Sequence, residues 1–318
     1  MASARRIAVY LSLATEHGRG ILRGIARFYR QDSEVTVLKF NDPRSYDPAA
    51  LRRLKIDGII ARITSRRNEA ALSALGVPVV NVSGQIDTPQ VPLINTDDLH
   101  VGRIALRHLH GRAYRHFAYC GNRTHLGSVR RFRGFCDEAR ALGVRAAIPR
   151  HLLPQGDQNT PYSDTSRSRL SAWLKTLPCP IGILGFTDRV ALELDEACDR
   201  VGLRVPDDVA ILGVGNDLTR VEFAHVPLTS IQLNTQQIGL VAAKTLQTIM
   251  SGQLFNPAET PDQSTENRDP HLNRPLRRGR RGGRDCSRPY ARACGKHDLC
   301  HRCGTGRRRD PTGVGDAF

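Results

Sequence analysis

From about residue 5 to residue 255, short apolar runs alternate with segments whose apolar residues recur every three or four positions. Residues 6–13, 35–40, 58–63 and 79–82 have the runs expected of strands, and 18–29, 48–54 and 69–75 have helical spacing. In 18–29, Ile21, Leu22, Ile25 and Phe28 fall on one face. The pattern restarts after Leu93-Ile-Asn95. Helices are predicted at 98–110 (stripe Val101, Ile104, Ala105, Leu109), 129–142, 165–177 and 191–201, and strands at 117–120 and 144–148. Two further apolar runs, Ile181-Gly-Ile-Leu-Gly-Phe-Thr-Asp188 and Val209-Ala-Ile-Leu-Gly-Val-Gly-Asn-Asp217, flank the 191–201 segment and end in polar residues. A connection at 227–230 leads to a last helix at 234–250, with Ile238, Val241, Ala242, Leu246 and Ile249 inward.

Strict strand–helix alternation predicts parallel sheets covered on both faces. The restart near residue 95 predicts two similar α/β lobes. The first is expected to hold about 5–95 plus 230–255, and the second about 96–229, with a ligand cleft between them. In open α/β sheets, ligands bind outside the carboxyl ends of the strands. That rule draws attention to the polar residues after the strands ending near 186 and 214.

From Glu259 the composition changes. This tail has 13 Arg and one Lys against eight acidic residues, which is +6 of the chain's net +16. It holds only four Leu, Ile or Val residues: Leu272, Leu276, Leu299 and Val314. So few aliphatic residues cannot bury enough apolar surface to order a segment alone. Residues 259–318 are therefore expected to be a disordered basic tail. Arg, Gly, Pro, Cys and His together are also what GC-rich coding sequence yields out of frame, with a shift near 256–270. Cys300-His-Arg-Cys303 has half the spacing of a zinc knuckle, but no second close pair accompanies it, so no metal site or cofactor is expected.

The basic balance suggests a polyanionic partner such as nucleic acid, or a surface that uses Arg by default. No apolar run approaches the roughly 20 residues of a membrane span. The run at 7–13 is short for a signal peptide and lacks a small-residue cleavage site, so a cytoplasmic location is expected. Cys120, Cys136, Cys179 and Cys198 lie singly in the apolar body, as reduced thiols would. No Gly-x-Ser-x-Gly, His-Glu-x-x-His or Walker pattern occurs, so an enzyme is not expected.

Asp188 closes an apolar strand. Its carboxylate can accept two hydroxyl hydrogen bonds from a polyol, or cap the helix beginning at Arg189. Asn216 and Asp217 follow the next strand. The amide offers donor and acceptor together, while Gly215-Asn-Asp217 equally suits a turn. His17 stands in the first turn after the first strand, where a ligand contact and a structural role are both open.

Several motifs in order resemble the sensor domain of the LacI/GalR regulators, in the xylose operon regulator branch. They are His17-Gly-Arg-Gly-Ile-Leu-Arg-Gly-Ile25, Arg131-Phe-Arg-Gly-Phe135, Arg169-Leu-Ser-Ala-Trp-Leu-Lys-Thr-Leu-Pro178, Gly182-Ile-Leu-Gly-Phe-Thr-Asp188, Ile211-Leu-Gly-Val-Gly-Asn-Asp-Leu-Thr-Arg220, Pro227-Leu-Thr-Ser-Ile231 and Ile238-Gly-Leu-Val-Ala-Ala243. The resemblance covers about 5–255 and implies a two-lobed periplasmic-binding-protein-like fold that binds a small sugar between its lobes. It implies that Arg131 reaches the ligand, although a solvent-facing Arg beside Arg130 and Arg133 is the plainer reading. It strengthens the ligand reading of Asp188, and it implies a homodimer. It also implies DNA as a partner through a separate reader domain, which neither the residues before Arg5 nor the tail's pattern provides. Relatives usually carry an acid where this chain has Gly215, which puts the identity of the sugar in doubt. A solute-binding protein for sugar uptake is the competing expectation.

Overall fold

The computed structural model describes residues 4–30, 32–41, 46–154, 162–222 and 224–253, together with the backbone of 272–273. Two sheets form, each built mainly of parallel strands. The first uses β1 (Arg5–Tyr10), β2 (Val35–Phe40), β3 (Gly58–Ala61) and β4 (Val79–Asn81), in the spatial order β2-β1-β3-β4. The helices of this half are α1 (Glu16–Tyr29), α2 (Pro48–Arg53) and α3 (Arg66–Ser73). The chain then crosses to α4 (Asp98–Gly111) and the second half.

The second half contains β5 (His116–Asn122), α5 (Leu126–Ala141), β6 (Arg150–Leu153), α6 (Asp164–Leu174), β7 (Ile181–Gly185), α7 (Asp188–Arg200), β8 (Val209–Val214), a short α8 (Leu218–Val221) and β9 (Thr229–Ile231). The last helix, α9 (Thr235–Met250), returns to the first lobe, and β10 (Leu272–Asn273) pairs antiparallel with β9. The second sheet therefore runs β10-β9-β8-β7-β5-β6.

Both sheets are covered on two faces, which explains why their central strands β3, β7 and β8 are apolar throughout rather than alternating. The burial of β7 and β8 is complete along their length. In the first lobe, Ile7, Val9 and Ile60 pack with Ile21, Ile25, Ile238 and Leu246 of α1 and α9. On the other face, Ala8, Ile59 and Val79 pack with Leu51 and Leu72 of α2 and α3. The second lobe has one continuous core that includes Phe117, Tyr119, Phe135, Ile183 and Leu212.

The helix pair α1/α9 meets backbone to backbone. A Cβ on Gly24 would lie 2.0 Å from the Gln236 carbonyl oxygen, and one on Gly239 would lie 2.0 Å from that of Ile21. This close approach ties the returning α9 to the first lobe.

Three local expectations shift. The strand expected at 144–148 forms instead at Arg150–Leu153, because the chain leaves α5 through Gly143 at φ +74 and only then reaches the sheet edge. The connection expected at 227–230 contains most of β9, so the crossing back to the first lobe falls after Ile231. Thr229 and Ser230 are polar yet buried in a three-residue strand, too short for a periodic signal. Within the tail, Leu272–Asn273 pairs with β9; the rest, including Cys300 and Cys303, lies outside the described residues. No helix among the described residues is long and apolar enough to cross a membrane.

Candidate functional site

The carboxyl ends of strands from both sheets converge on one cavity of about 200 Å³. From the first lobe come Ser12, Thr15, Glu16 and His17 after β1, Arg62 after β3, and Ser83 after β4. From the second come His125 and Arg131 after β5, Phe186, Thr187, Asp188 and Arg189 after β7, and Gly215, Asp217 and Arg220 after β8. Asn95, Thr96 and Asp98 enter from the first crossing.

Asp188 is 2% exposed. Its Oδ1 accepts the Ser230 hydroxyl at 2.5 Å, and its Oδ2 accepts the Asp217 N–H at 2.8 Å. Burial raises its pKa to about 6 against those two hydrogen bonds. The helix cap expected of it belongs to Thr187, whose hydroxyl accepts the Val190 N–H at 3.4 Å. Asp188 is free of that duty and occupies the first helical position, where a carboxylate also faces the positive end of the helix dipole.

Glycines make room for this carboxylate. A Cβ on Gly213 would lie 2.4 Å from Asp188 Oδ1. Gly215 has φ +129, and a Cβ there would stand 3.1 Å from Asp188 Oδ2. An acidic side chain at 215 would be strained and would add a second negative charge beside Asp188, which gives the sequence departure at this position a physical reason.

Arg131 is buried, at 6% exposure, and not solvent-facing. Its Nε donates to Asp98 Oδ1 at 2.7 Å, its Nη1 donates to the Phe186 carbonyl, and its Cζ stands 4.7 Å over the Phe186 ring. The other neighbour of Phe186 is the His125 ring, 4.7 Å away between centroids. The guanidinium thus has a fixed orientation at the cavity wall.

Asp217 links the lobes. Its Oδ1 accepts the Thr219 hydroxyl at 2.6 Å and pairs with Arg19 of α1 at 3.4 Å, and its Oδ2 pairs with Arg220 at 3.4 Å. Asn216 does not join the cavity. It sits at φ +50, as its turn reading implied, and its amide donates to Gln232 Oε1 at 3.4 Å. It lines instead an outer groove of about 610 Å³ with Arg19, Arg23 and Arg27, which borders the cavity at Glu16, Gly215, Asp217 and Leu233.

His17 does line the cavity, together with His125, a residue that no motif singled out. Both imidazoles are held neutral, at about 4 and about 3, by burial first and then by the charges of Arg62 and Arg131. Arg62 and His125 were invisible to motif reading, and Phe186 lay within a motif without being singled out. The one available signal was position, since each follows the carboxyl end of an apolar strand.

The family whose sequence model matches is described as a periplasmic binding protein-like domain, over residues 106–270, just over half of the chain. The chain belongs to that family. The chain is 27% identical to the xylose operon regulatory protein of Haemophilus influenzae, over 78% of this chain and 65% of that protein. It is 26% identical to the protein of the same name from Escherichia coli, over 77% of this chain and 63% of the other. The solved structure of the xylose-binding transcription activator XylR superposes with a TM-score of 0.68 at 23% identity, over 80% of this chain and 66% of that one. The chain thus spans just under two-thirds of these relatives' lengths. The relatives are transcription regulators, not enzymes, and the shared architecture is that of a ligand-sensing domain. The motif resemblance to the xylose-regulator branch agrees with these matches.

Proposed function

We propose that this chain is the sensor module of a transcription regulator, and that it binds a small sugar with a xylose-like skeleton to control a sugar-utilisation operon. The observation that carries this reading is a cavity at the carboxyl ends of the strands of both sheets, with Asp188, Asp217, Arg131 and His17 on its walls. Carboxylates that accept and guanidinium groups that donate are what a ring of hydroxyls needs. Residues from both lobes line the cavity, so a ligand that touches both favours the closed arrangement over an open one. A ligand shifts such an equilibrium only by its difference in affinity for the two arrangements. Asn216 acts outside this site, in the turn that leads to Asp217. DNA as the regulated partner is supported by the names of the relatives, and a cytoplasmic location and a homodimer complete the proposal.

The test is thermal unfolding of the full chain against a panel of pentoses, hexoses and their oxidised derivatives. A ligand at about 100 times its Kd should stabilise the protein by roughly 2.7 kcal/mol. A selective rise in Tm supports the sensor reading. A folded protein whose Tm no member of the panel moves would refute it.

A further inference from the structure

Most charges at the cavity have partners within the protein. Arg131 is held by Asp98, Arg220 and Arg19 by Asp217, and Glu16 pairs with Arg19 and Arg23. Arg62 differs. It stands one residue beyond β3 and lines the cavity, yet among the described residues no carboxylate hydrogen-bonds or ion-pairs with its guanidinium. Its backbone carbonyl accepts the Tyr46 hydroxyl at 2.8 Å, and that phenol is the nearby group that favours its charge. Burial without an acid partner pulls its pKa down. A half-buried cation with no carboxylate partner among the described residues is costly to keep, and a ligand can supply the counter-charge.

The surroundings of Arg62 fit an anion. His17 of its own lobe and His125 of the other both feel its charge. The Arg131 guanidinium lines the same cavity from the second lobe, and its charge also lowers both imidazoles. His125 Nδ1 and Thr96 Oγ1, both at the cavity, have no hydrogen-bond partner among the described residues. Arg62 of the first lobe and Arg131 of the second line the same cavity, and of the two only Arg131 has a carboxylate partner among the described residues.

We propose that the ligand is a sugar acid, a monosaccharide whose carboxylate sits on Arg62 between His17 and His125, with its hydroxyls toward Asp188 and Asp217. This rests on the sensor reading and narrows its ligand class. Among the described residues the Arg62 guanidinium has no carboxylate partner and the Asp188 carboxylate has no cationic one, so a ligand that carries one carboxylate and several hydroxyls answers both. A carboxylate meets the guanidinium with two parallel hydrogen bonds. A phosphate dianion would leave excess negative charge near Asp188 and two neutral imidazoles.

Binding of five probes to the full chain tests this by calorimetry: D-xylonate and D-glucuronate, their neutral parents D-xylose and D-glucose, and D-xylose 1-phosphate. A charge-assisted pair predicts that one acid binds about 10- to 100-fold tighter than its neutral parent. Arg62→Met should bring the acid down to the affinity of the parent, and Arg62→Lys should recover part of the difference. Without its unmatched cation, the Arg62→Met protein should also melt higher than the native chain in the absence of ligand, which shows independently that the variant folds. Equal affinity for acid and parent would overturn the proposal and leave the sensor reading standing. Tightest binding of the phosphate would overturn the carboxylate assignment. Loss of binding to every probe by the folded native chain would take the sensor reading down with it.

Discussion

Replacing Asp188 with Asn should make the ligand-free protein more stable at neutral pH. The carboxylate is 2% exposed, and burial raises its pKa from 3.8 to about 6. A folded-state pKa above the unfolded value means the native state binds the proton more tightly, so ionisation costs stability as pH rises. The cost is absent below about pH 4, grows through pH 6, and is complete near pH 8. Each pKa unit is about 1.4 kcal/mol, so the full cost is about 3 kcal/mol. Asn is nearly isosteric and neutral. Its carbonyl can accept the Asp217 N–H, and its amide can donate to Ser230 Oγ, which already accepts the Asn216 N–H at 3.0 Å. The displaced Ser230 proton loses its acceptor, at about 1 kcal/mol. The net gain is about 2 kcal/mol at pH 8, or roughly 4–8 °C in Tm for a body of this size. Melts of the native and Asp188→Asn chains at pH 5, 6, 7 and 8 would show the gap opening with pH. The same variant should lose the Tm shift on ligand addition, because the best acceptor at the cavity is gone. A gap that stays constant from pH 5 to 8, or a variant less stable at every pH, would refute the argument that this carboxylate is kept at a cost for binding.

Acid should unfold the protein early. His17 and His108 are pulled to about 4 and His125 to about 3 by burial and nearby Arg charges, so the unfolded chain takes up protons first. Their stability is intact above about pH 6.5 and falls toward pH 4, by about 1–2 kcal/mol per ring between pH 7 and 5, while Asp188 returns about 1; an unchanged Tm across that range would contradict the buried, neutral assignment. The Arg19–Asp217 pair spans the lobes, but Arg19 is 34% exposed, so Arg19→Met should weaken ligand binding by less than about tenfold. It should also raise the radius of gyration of the ligand-free protein in solution scattering, and an unchanged radius would remove the pair from the closure mechanism. Gly134→Ala would place a Cβ 2.0 Å from the Leu99 carbonyl oxygen between α4 and α5, and should cost about 3 kcal/mol. Gly111→Ala, with nothing within 4 Å, should instead leave urea unfolding unchanged or slightly stabilised, and equal costs would refute the close-packing argument.

Much of the architecture was legible in the apolar pattern, because strands covered on both faces must be apolar along their whole length and helices must show a stripe. That is why most of the alternation from β1 to β8 could be read, the place of β6 excepted, and why β9 could not. Thr229 and Ser230 are buried polar residues, and their place in the second sheet depends on β8, fourteen or more residues away in sequence. Asp188 and Asp217 could be singled out because each follows an apolar strand, and local order alone sets that position. Their division of labour could not. Whether Asp188 caps its helix or faces a ligand depended on Thr187 taking the cap and on Ser230 arriving from β9. Arg131 reads as one of several surface arginines until α4 brings Asp98 beneath it, and Asn216 turns away because Gln232 stands opposite. Arg62 shows the division most sharply. Its type and its place after a strand are properties of the chain, but that no carboxylate among the described residues pairs with it is decided only by which residues the two lobes bring around it. Local periodicity reports which face of an element is buried; counter-charges across a cleft come from residues far apart in sequence, and only the tertiary structure decides whether they meet.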